Sequence, residues 1–396
     1  MRASAFLYPW DVVGDPDAPA RVADLGVRQV TLAAAYHSTR ALTPRHPRHR
    51  IVTAEHAAVL YEPDVTRWQG RALRPYAPGD WAGTDAYREA AEALAATGLD
   101  VHTWVVLAHN SRLGAEHPDT SVVNAYGDRY PWAPCIAQPA TRAYLVDLAA
   151  EAAVRPGARG TELESLGWYG LAHLHAHDKT AGVPLGEAGQ YLMSLCFCPT
   201  CRTGYGEQGL DPAELATDVR RALEPLWRGE RPTGGWAGVE KLLGADKAAA
   251  TRAWRDVAAR TLQETAVAAV RAAAPDGFQV LLHAHPVTYQ CGANAGVDPE
   301  HILSVADGVV VPCTGGADLL TAFVPYRTER TTLAANLTVV SGMGGHPGRL
   351  AEDAAHAAGL GADELRLYHA GLASDEDLAQ VRKALAHIEQ PSARLK

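Results

Sequence analysis

The 396-residue sequence has no run approaching the ~20 consecutive apolar residues that a membrane-spanning helix requires. Its first residues are apolar only briefly and lack the flanking charges and small-residue cleavage site of a secretory signal. Lys and Arg number 36 against 45 Asp and Glu, which gives a net charge of −9. Binding to nucleic-acid phosphates requires clustered basic residues. These absences predict a cytoplasmic chain with no membrane partner and no nucleic-acid partner.

The sequence also lacks a glycine-rich phosphate loop after its first apolar segment, which continues into DVVGDPDAP at 11–19. A doubly wound open sheet would be expected to carry such a loop there, so that fold is disfavoured. What is present is a strand-then-helix rhythm with eight candidate strands, each apolar and β-branched or aromatic. The candidate strands lie at residues 5–10, 28–37, 100–109, 161–168, 278–285, 307–313, 337–343 and 364–372.

Eight strand-and-helix units predict an α/β fold of the (β/α)8 TIM-barrel type, as a single domain over residues 1–396. The predicted connections at 38–82 and 110–138 are long, and the longest follows the fourth strand. We expect residues 171–246 to form an elaborated, partly helical loop rather than a separate domain. Long loops at the C-terminal ends of barrel strands build active sites, so the strand ends are where chemistry is expected.

The predicted strand ends are rich in aromatic and histidine side chains and poor in Lys and Arg. A phosphate site would require Lys, Arg or helix N-termini. Aromatic faces and neutral hydrogen-bonding groups instead suit a sugar ring, which has apolar CH faces and many hydroxyls. We therefore predict a small-molecule carbohydrate site. Its predicted binding residues are Tyr8, Trp10, Tyr36, His37, His109, Asn110, Trp168, His283, His285 and His369.

The fourth predicted strand carries TELES at 161–165, which places Glu162 and Glu164 on one face because side chains alternate along a strand. We expect that face to point into the barrel. Glu164 lies nearer the C-terminal end, and burial beside Trp168 would raise the pKa of its carboxyl, as a general acid requires. Glu162 lies one layer deeper and is expected to pair with an Arg or a His.

Only six cysteines occur in the chain, and three of them stand in CFCPTC at 196–201. A disulfide is the least expected interpretation in a compartment that keeps thiols reduced. A structural zinc site, plain buried thiols and a reactive thiol are the others. Three cysteines close in sequence and one distant ligand would form a closed tetrahedral zinc site that fixes the long loop. The spacing leaves the fourth ligand open among Cys135, Cys291, His173, His175 and His177.

A glutamate at the end of the fourth strand of a barrel resembles the large superfamily of (β/α)8 glycoside hydrolases. The C-x-C-x-x-C knuckle with a further upstream cysteine is similar to the zinc cluster of the family 42 β-galactosidases. The resemblance implies a hydrolase of the glycosidase type with Glu164 as general acid. It also implies a zinc ion held by Cys196, Cys198, Cys201 and Cys135. Retaining enzymes of that superfamily carry a nucleophilic Glu after strand seven, where this sequence reads LTVVSGMGGHPG at 337–348, without a carboxylate.

The missing carboxylate leaves the second catalytic group open. An inverting mechanism needs a second carboxylate ~6.5–9.5 Å from the first, and Asp11 after strand one is the first candidate, followed by Asp318 after strand six. The substrate could instead supply its own nucleophile. A metal-dependent hydrolase or lyase is another hypothesis, because HAH at 283–285 and HLHAHDK at 173–179 offer imidazole ligands. A non-catalytic carbohydrate-binding barrel is a third, and a homo-oligomer is compatible with all of them.

Overall fold

The computed structural model describes residues 1–79, 81–83, 85–172 and 178–389. In these residues the strands are, in chain order, β1 (Arg2–Leu7), β2 (Gln29–Tyr36), β3 (Thr39–Leu42), β4 (Ile51–Ala54), β5 (Ala58–Val59), β6 (Asp100–Val106), β7 (Ser121–Val123), β8 (Arg129–Pro134), β9 (Ala158–Glu164), β10 (Gln279–His285), β11 (Ala295–Gly296), β12 (Gly308–Pro312), β13 (Thr332–Thr338) and β14 (Glu364–Tyr368).

Eight of these strands form a closed parallel barrel. Going round the ring, the order is β1, β2, β6, β9, β10, β12, β13 and β14, and β14 pairs with β1 to close it. The fold is therefore the (β/α)8 TIM barrel that the eight strand-and-helix units predicted. The remaining strands lie in the connections, where β3 pairs with β4 and β7 pairs with β8 as antiparallel hairpins.

The seventh barrel strand differs from its prediction. β13 runs from Thr332 to Thr338, so the predicted strand at 337–343 is displaced by five residues. Its sequence, TLAANLT, has fewer β-branched residues than LTVVSGM, but its alanines 334 and 335 are fully buried and suit the crowded barrel wall. After β13 the chain forms a short 3-10 turn at Ser341–Met343. The corrected bounds still leave the end of this strand without a carboxylate.

The described helices surround the barrel and fill its connections. They are α1 (Ala18–Ala23), α2 (Val65–Trp68), α3 (Ala86–Ala95), α4 (Ser111–Glu116), α5 (Pro139–Ala153), α6 (Gly186–Met193), α7 (Pro199–Glu207), α8 (Pro212–Trp227), α9 (Gly235–Leu243), α10 (Ala245–Ala273), α11 (Pro299–Val305), α12 (Leu350–Gly359) and α13 (Asp375–Glu389). None of these helices is both long and apolar enough to cross a lipid bilayer.

Between β9 and β10 the described residues form five α-helices, α6 to α10. The 29-residue α10 packs along α5 and so belongs to the outer helical layer. The four shorter helices α6 to α9 lie within residues 171–246, the segment predicted to be an elaborated loop. Local sequence explains their start points. The Asp211 side chain, for example, accepts hydrogen bonds from the first N–H groups of α8 and thereby satisfies donors that have no partner inside the helix.

The barrel interior is layered. An apolar group of Leu281, Val310 and Ala334 is fully buried and separate from the main hydrophobic core. Buried charged and polar side chains of β9, β10 and β14, among them Glu162, His283 and Arg366, lie inside the barrel as well.

Candidate active site

Both glutamates of β9 point into the barrel, as the strand alternation predicted. Glu162 is fully buried, and its Oε1 accepts hydrogen bonds from Thr31 Oγ1 at 3.0 Å and from Nε of the fully buried Arg366. Burial alone would raise the pKa of Glu162, but the Arg366 charge and a hydrogen bond from His283 bring that pKa to about 2. Glu162 is therefore an ionised structural carboxylate, as expected for a glutamate paired with an Arg and a His.

Glu164 lies one layer higher and is 8% exposed. Its Oε2 accepts a hydrogen bond from Trp104 Nε1 at 2.7 Å, whereas its Oε1 accepts none from the described part of the chain. Burial raises the pKa of the Glu164 carboxyl, and the opposing effects of His283 and Trp104 are smaller. The environment thus favours a protonated carboxyl with one oxygen available to a ligand.

Glu164 opens into a pocket of about 510 Å³ at the C-terminal ends of the barrel strands. Four predicted binding residues line it, namely Tyr8, Tyr36, His37 and His109. Among the described lining residues, Glu164 is the only carboxylate. The other lining residues are Thr39, Arg40, Ala41, Leu42, Ser165, Tyr169, Ala293, Val340, Gly342, Met343, Tyr368 and Leu372.

The pocket wall is built from stacked rings. Tyr8 lies between Trp10 and His369, with ring centroids 4.3 Å and 4.2 Å away, and its hydroxyl donates to Tyr36 Oη at 3.0 Å. His109 stacks on Tyr169 at 4.1 Å with nearly parallel rings. Burial holds the pKa values of Tyr8 and Tyr36 well above the usual range, so both phenols stay protonated at neutral pH. The wall therefore offers flat apolar faces together with neutral hydroxyls.

Three predicted binding residues lie outside the pocket lining. Trp10 packs behind Tyr8. Trp168 donates its indole N–H to the Arg255 carbonyl oxygen at 3.0 Å. Asn110 caps α4, its side-chain oxygen accepting from Leu113 N–H at 3.0 Å. These three side chains contact other parts of the protein. Trp10 stacks on Tyr8, and the polar atoms of Trp168 and Asn110 form hydrogen bonds with the backbone.

The three remaining predicted histidines are also absent from the described pocket lining. His369 is fully buried against Tyr8, and burial lowers its pKa to about 3, so it is neutral. His285 is half-buried, and its Nδ1 accepts from the Val287 N–H at 3.2 Å. His283 is 3% exposed and lies between the two glutamates of β9. The segment with His173, His175 and His177 lies outside the described residues.

The structure does not bring Asp11 together with Glu164. Asp11 lies in a separate cavity of about 30 Å³ with Arg45 and Gly371, and its Oδ2 accepts from the Tyr8 N–H at 2.8 Å. A Cβ on Gly371 would collide with this carboxylate, so glycine permits the close approach. Burial raises the pKa of Asp11 to about 7, more than the Tyr8 N–H and Arg45 lower it. The second candidate, Asp318, is exposed at the start of a 3-10 turn after β12.

Several residues of the site were missing from the prediction. Trp104 stands two positions beyond His102 on β6, so strand alternation could have placed it inside the barrel beside Glu164. Tyr169 and Tyr368 stand at strand ends and carried the same aromatic signal as the predicted residues. Leu42 comes from the β3–β4 hairpin, where the sequence gives no indication that the hairpin reaches the mouth.

The cysteine knuckle closes into a four-sulfur cluster, formed by Cys135, Cys196, Cys198 and Cys201. The four Sγ atoms lie within 4.8 Å of one another, and Cys135 Sγ is 3.6 Å from both Cys198 Sγ and Cys201 Sγ. A tetrahedral zinc ion with Zn–S bonds of about 2.3 Å implies sulfur separations of about 3.8 Å. The cluster therefore fits a metal ion of this kind.

The surroundings of the cluster also suit an ion. All four cysteines are buried, and N–H groups of Val123 and Cys198 donate to Cys196 Sγ at 3.5 Å. Hydrogen bonds from Cys135 and the other thiols hold the pKa of Cys198 far below the usual range. Of the alternative fourth ligands, Cys291 instead contacts Arg255 at 3.1 Å. In the described ranges, no other group of three or more Cys, His, Asp or Glu residues is close enough to share an ion.

The cluster joins two loops. Cys135 follows β8, and the other three cysteines lie between α6 and the first turn of α7. Beside the cluster, the Phe197 N–H donates to the Val123 carbonyl oxygen at 2.6 Å, and Tyr130 donates to the Met193 carbonyl oxygen at 2.8 Å. The cysteines therefore connect the β7–β8 hairpin to the helical segment after β9, outside the lining of the pocket that contains Glu164.

No protein-family model matches the chain, and no curated protein matches its sequence. Solved structures match its fold. An α-L-fucosidase isoenzyme 2 from Paenibacillus thiaminolyticus has a TM-score of 0.58 at 13% identity, covering 98% of this chain and 49% of the fucosidase. The catalytic domain of a β-amylase from Paenibacillus polymyxa has a TM-score of 0.55 at 12% identity, covering 98% and 99%. A catalytic mutant of Gan42B, a GH42 β-galactosidase from G. stearothermophilus, has a TM-score of 0.55 at 11% identity, covering 98% and 56%.

This chain thus spans about half the length of the fucosidase and all but a small part of the β-amylase domain. At these identities the likeness establishes the barrel fold. The structural neighbours named here are glycoside hydrolases, so the fold is one that carbohydrate-acting hydrolases use.

Proposed function

We propose that the protein is a glycoside hydrolase-like enzyme that acts on a small sugar conjugate or oligosaccharide, with Glu164 as the general acid. One observation carries the proposal. Glu164 is a buried carboxyl whose pKa is raised by its burial, and it is the only carboxylate among the described residues that line an aromatic, histidine-rich pocket at the barrel mouth. The fold shared with glycoside hydrolases supports the same conclusion.

The hydrogen bonds of Glu164 indicate which oxygen carries the acidic proton. Trp104 donates to Oε2, so that oxygen accepts and Oε1 holds the proton. Oε1 would donate this proton to the leaving-group oxygen as the glycosidic bond breaks. The sugar ring would lie against Tyr36 and His109, and the Tyr36 hydroxyl, which accepts from Tyr8, would donate to a sugar hydroxyl.

We do not propose a retaining mechanism. That mechanism requires a second carboxylate ~5 Å from the first, on the other side of the scissile bond. Glu162 is buried below Glu164 and is already paired with Arg366. Asp11, the predicted partner that would activate water, contacts Tyr8 and Gly371 in its own cavity. Glu164 is therefore the one catalytic residue that we assign.

We further propose that the four-cysteine cluster binds zinc and that this zinc is structural. Four thiolates from the protein would complete a tetrahedral site and leave no position for a substrate. Cys135 lies on one loop, and the other three ligands, Cys196, Cys198 and Cys201, lie on a second loop. An ion bound between them would fix one loop to the other. No catalytic step involves this ion.

A non-catalytic carbohydrate-binding barrel is a second candidate function. It is favoured by the lack of a second carboxylate among the described lining residues. This candidate predicts that sugars bind to the wild-type protein and to Glu164→Gln alike, and that neither protein turns them over.

The general-acid assignment is tested with aryl glycosides that differ in leaving-group acidity, comparing wild type with Glu164→Gln. On a poor leaving group such as phenol, we expect kcat/KM to fall by about 10²–10⁴-fold, because the leaving oxygen must be protonated. On an activated leaving group such as 2,4-dinitrophenol, the loss should be much smaller. Equal losses on both substrates would contradict the assignment of Glu164 as acid.

His285→Gln serves as the matched control for this comparison. It changes a half-buried side chain on the neighbouring strand that lies outside the pocket lining. We expect its kcat/KM to show no dependence on leaving-group acidity beyond that of the wild type.

A further inference from the structure

His283 was predicted to bind substrate, but the structure places it inside the barrel, between two carboxylates of different character. Its Nε2 lies 3.2 Å from Glu162 Oε2, and its Nδ1 lies 3.8 Å from Glu164 Oε2. The imidazole is buried and is not among the described residues that line the pocket. Its chemistry is therefore directed at the glutamates.

The contact with Glu162 fixes the tautomer of His283. Glu162 is ionised, because Arg366 and Thr31 satisfy it and its pKa is about 2. An ionised carboxylate can only accept, so the hydrogen between the two groups must lie on Nε2. In the neutral ring, Nδ1 then carries the lone pair, and this lone pair faces Glu164.

We propose that His283 is a positioning residue that takes up a proton at Nδ1 when Glu164 gives its own proton away, and so stabilises the resulting carboxylate. This inference rests on the proposed function of Glu164. In charge terms, Glu164 loses one proton to the leaving-group oxygen, and the imidazole gains one from solvent. The imidazolium then lies between two carboxylates, donating to Glu162 and facing Glu164.

The other groups around His283 do not compete for this role. The facing ring of Phe6 on β1 is apolar, and the paired residue Val310 on β12 is apolar as well. On β6, burial lowers the pKa of His102 to about 3, so it is neutral, and Trp104 is an N–H donor to Glu164 only. On β14, Tyr368 lies beside Glu164 with a raised pKa, caused mainly by burial.

Arg366 is the remaining charge near this pair. It lies on β14 and contacts Glu162 and Glu364, with none of its hydrogen bonds reaching Glu164. Nδ1 of His283, 3.8 Å from Glu164 Oε2, is therefore a protonatable atom within direct electrostatic reach of that carboxyl. The 3.8 Å separation is longer than a hydrogen bond, so protonated His283 would act on Glu164 through the electrostatic attraction between the imidazolium and the carboxylate.

The experiment measures the titration of Glu164 without relying on turnover. The free energy of unfolding is determined from pH 4 to 8 for four proteins: wild type, Glu164→Gln, His283→Gln and the double variant. A raised carboxyl pKa stabilises the fold below the unfolded-state pKa and loses that contribution as pH rises through the folded-state pKa. The difference between each Glu164 protein and its Gln counterpart therefore reports the midpoint of Glu164.

We expect the midpoint to move upward by about one pH unit or more in the His283→Gln background, because Gln can hydrogen bond to Glu162 but cannot become a cation. His285→Gln on the same strand should leave the midpoint in place. An unchanged midpoint in His283→Gln would overturn the inference. If His283→Gln fails to fold, ¹⁵N shifts of labelled wild-type histidines decide the question, since the proposal requires the Nε2–H tautomer and an Nδ1–H tautomer contradicts it.

The pH profile of kcat/KM separates this inference from the proposed function. If Glu164→Gln abolishes turnover but His283→Gln leaves the alkaline limb of the profile unmoved, the function stands and the inference fails. If no variant turns over any glycoside while the unfolding midpoint still shifts with His283→Gln, the coupling stands and the proposed function fails.

Discussion

The barrel mouth and the cysteine cluster are both buried groups of titratable side chains, but they differ in how they are completed. At the mouth, Glu164 keeps one oxygen without a partner in the described structure, next to a pocket of about 510 Å³. In the cluster, four sulfurs face one another within 4.8 Å and leave no open side. A buried polar group that opens into a pocket therefore indicates a role in binding or catalysis. A closed set of ligands indicates a role in stabilising the fold.

The two regions are also positioned differently. Neighbouring barrel strands hold the mouth residues, and the pleat decides which side chains point inward. The cluster is assembled from two loops, with Cys135 and Cys198 separated by 63 positions in sequence. We therefore expect the mouth to be rigid without a metal and the loops to depend on one.

The largest expected effect is on the cluster. Cys198→Ser should abolish zinc binding and lower the free energy of unfolding by about 5 kcal/mol or more, because metal binding energy contributes to folding energy. Zinc content and denaturant unfolding measure this. Cys291→Ser, outside the cluster, is the control and should retain one zinc per chain. Full stability of Cys198→Ser without metal would show that the cluster is only a set of buried thiols.

The next effect separates the two glutamates of β9. Glu162→Gln should lower the free energy of unfolding by about 3–5 kcal/mol, because it leaves the buried Arg366 without its counter-charge. Glu164→Gln should leave stability unchanged or increase it at neutral pH, since the raised pKa of Glu164 makes ionisation costly there. Denaturant unfolding at pH 7 compares them, and a larger loss for Glu164→Gln would reverse the roles we assign.

The stabilisation that Glu162 provides is expected to depend on pH. The folded-state pKa of about 2 lies below the unfolded value, so Glu162 stabilises the fold above about pH 4, and this contribution is lost as pH falls toward 2. The stability difference between wild type and Glu162→Gln should therefore shrink in acid.

The effect expected at Asp11 develops only as pH rises. Its pKa of about 7 means that its contribution to stability is present below about pH 4 and is lost as pH rises through 7. Asp11→Asn should match the wild type near pH 4 and be more stable by up to about 4 kcal/mol above pH 7, because each unit of pKa shift corresponds to about 1.4 kcal/mol. Thermal unfolding across this range measures it. A large fall in kcat for Asp11→Asn with KM unchanged would instead show that Asp11 takes part in catalysis.

Much of the barrel was predictable, because its strands and helices follow periodic patterns of apolar residues in the sequence. The alternation in TELES placed both glutamates inside, and the eight strand-and-helix units gave the fold. β13 was displaced because its alanines fit a crowded wall rather than follow β propensity, which depends on neighbouring strands. The position of Asp11 depends on the turn after β1, which places its carboxylate against Gly371, in a cavity that Glu164 does not line.

The loop contributions were less predictable. The knuckle at 196–201 indicated a metal site. Its spacing left the fourth ligand open, the family resemblance implied Cys135, and the structure places Cys135 with the other three sulfurs. Leu42 reaches the pocket because the β3–β4 hairpin folds over the mouth, and nothing local in its sequence encodes that direction.

The most direct test of the division between the two regions is to measure glycoside turnover, zinc content and unfolding on the same preparations of wild type, with and without a strong chelator, beside Glu164→Gln. We predict that Glu164→Gln keeps its zinc and its stability but loses turnover by about 10²-fold or more. We also predict that the chelator removes turnover only in step with unfolding. If the chelator stops turnover while the protein stays folded, a metal takes part in the reaction, and the zinc is not purely structural.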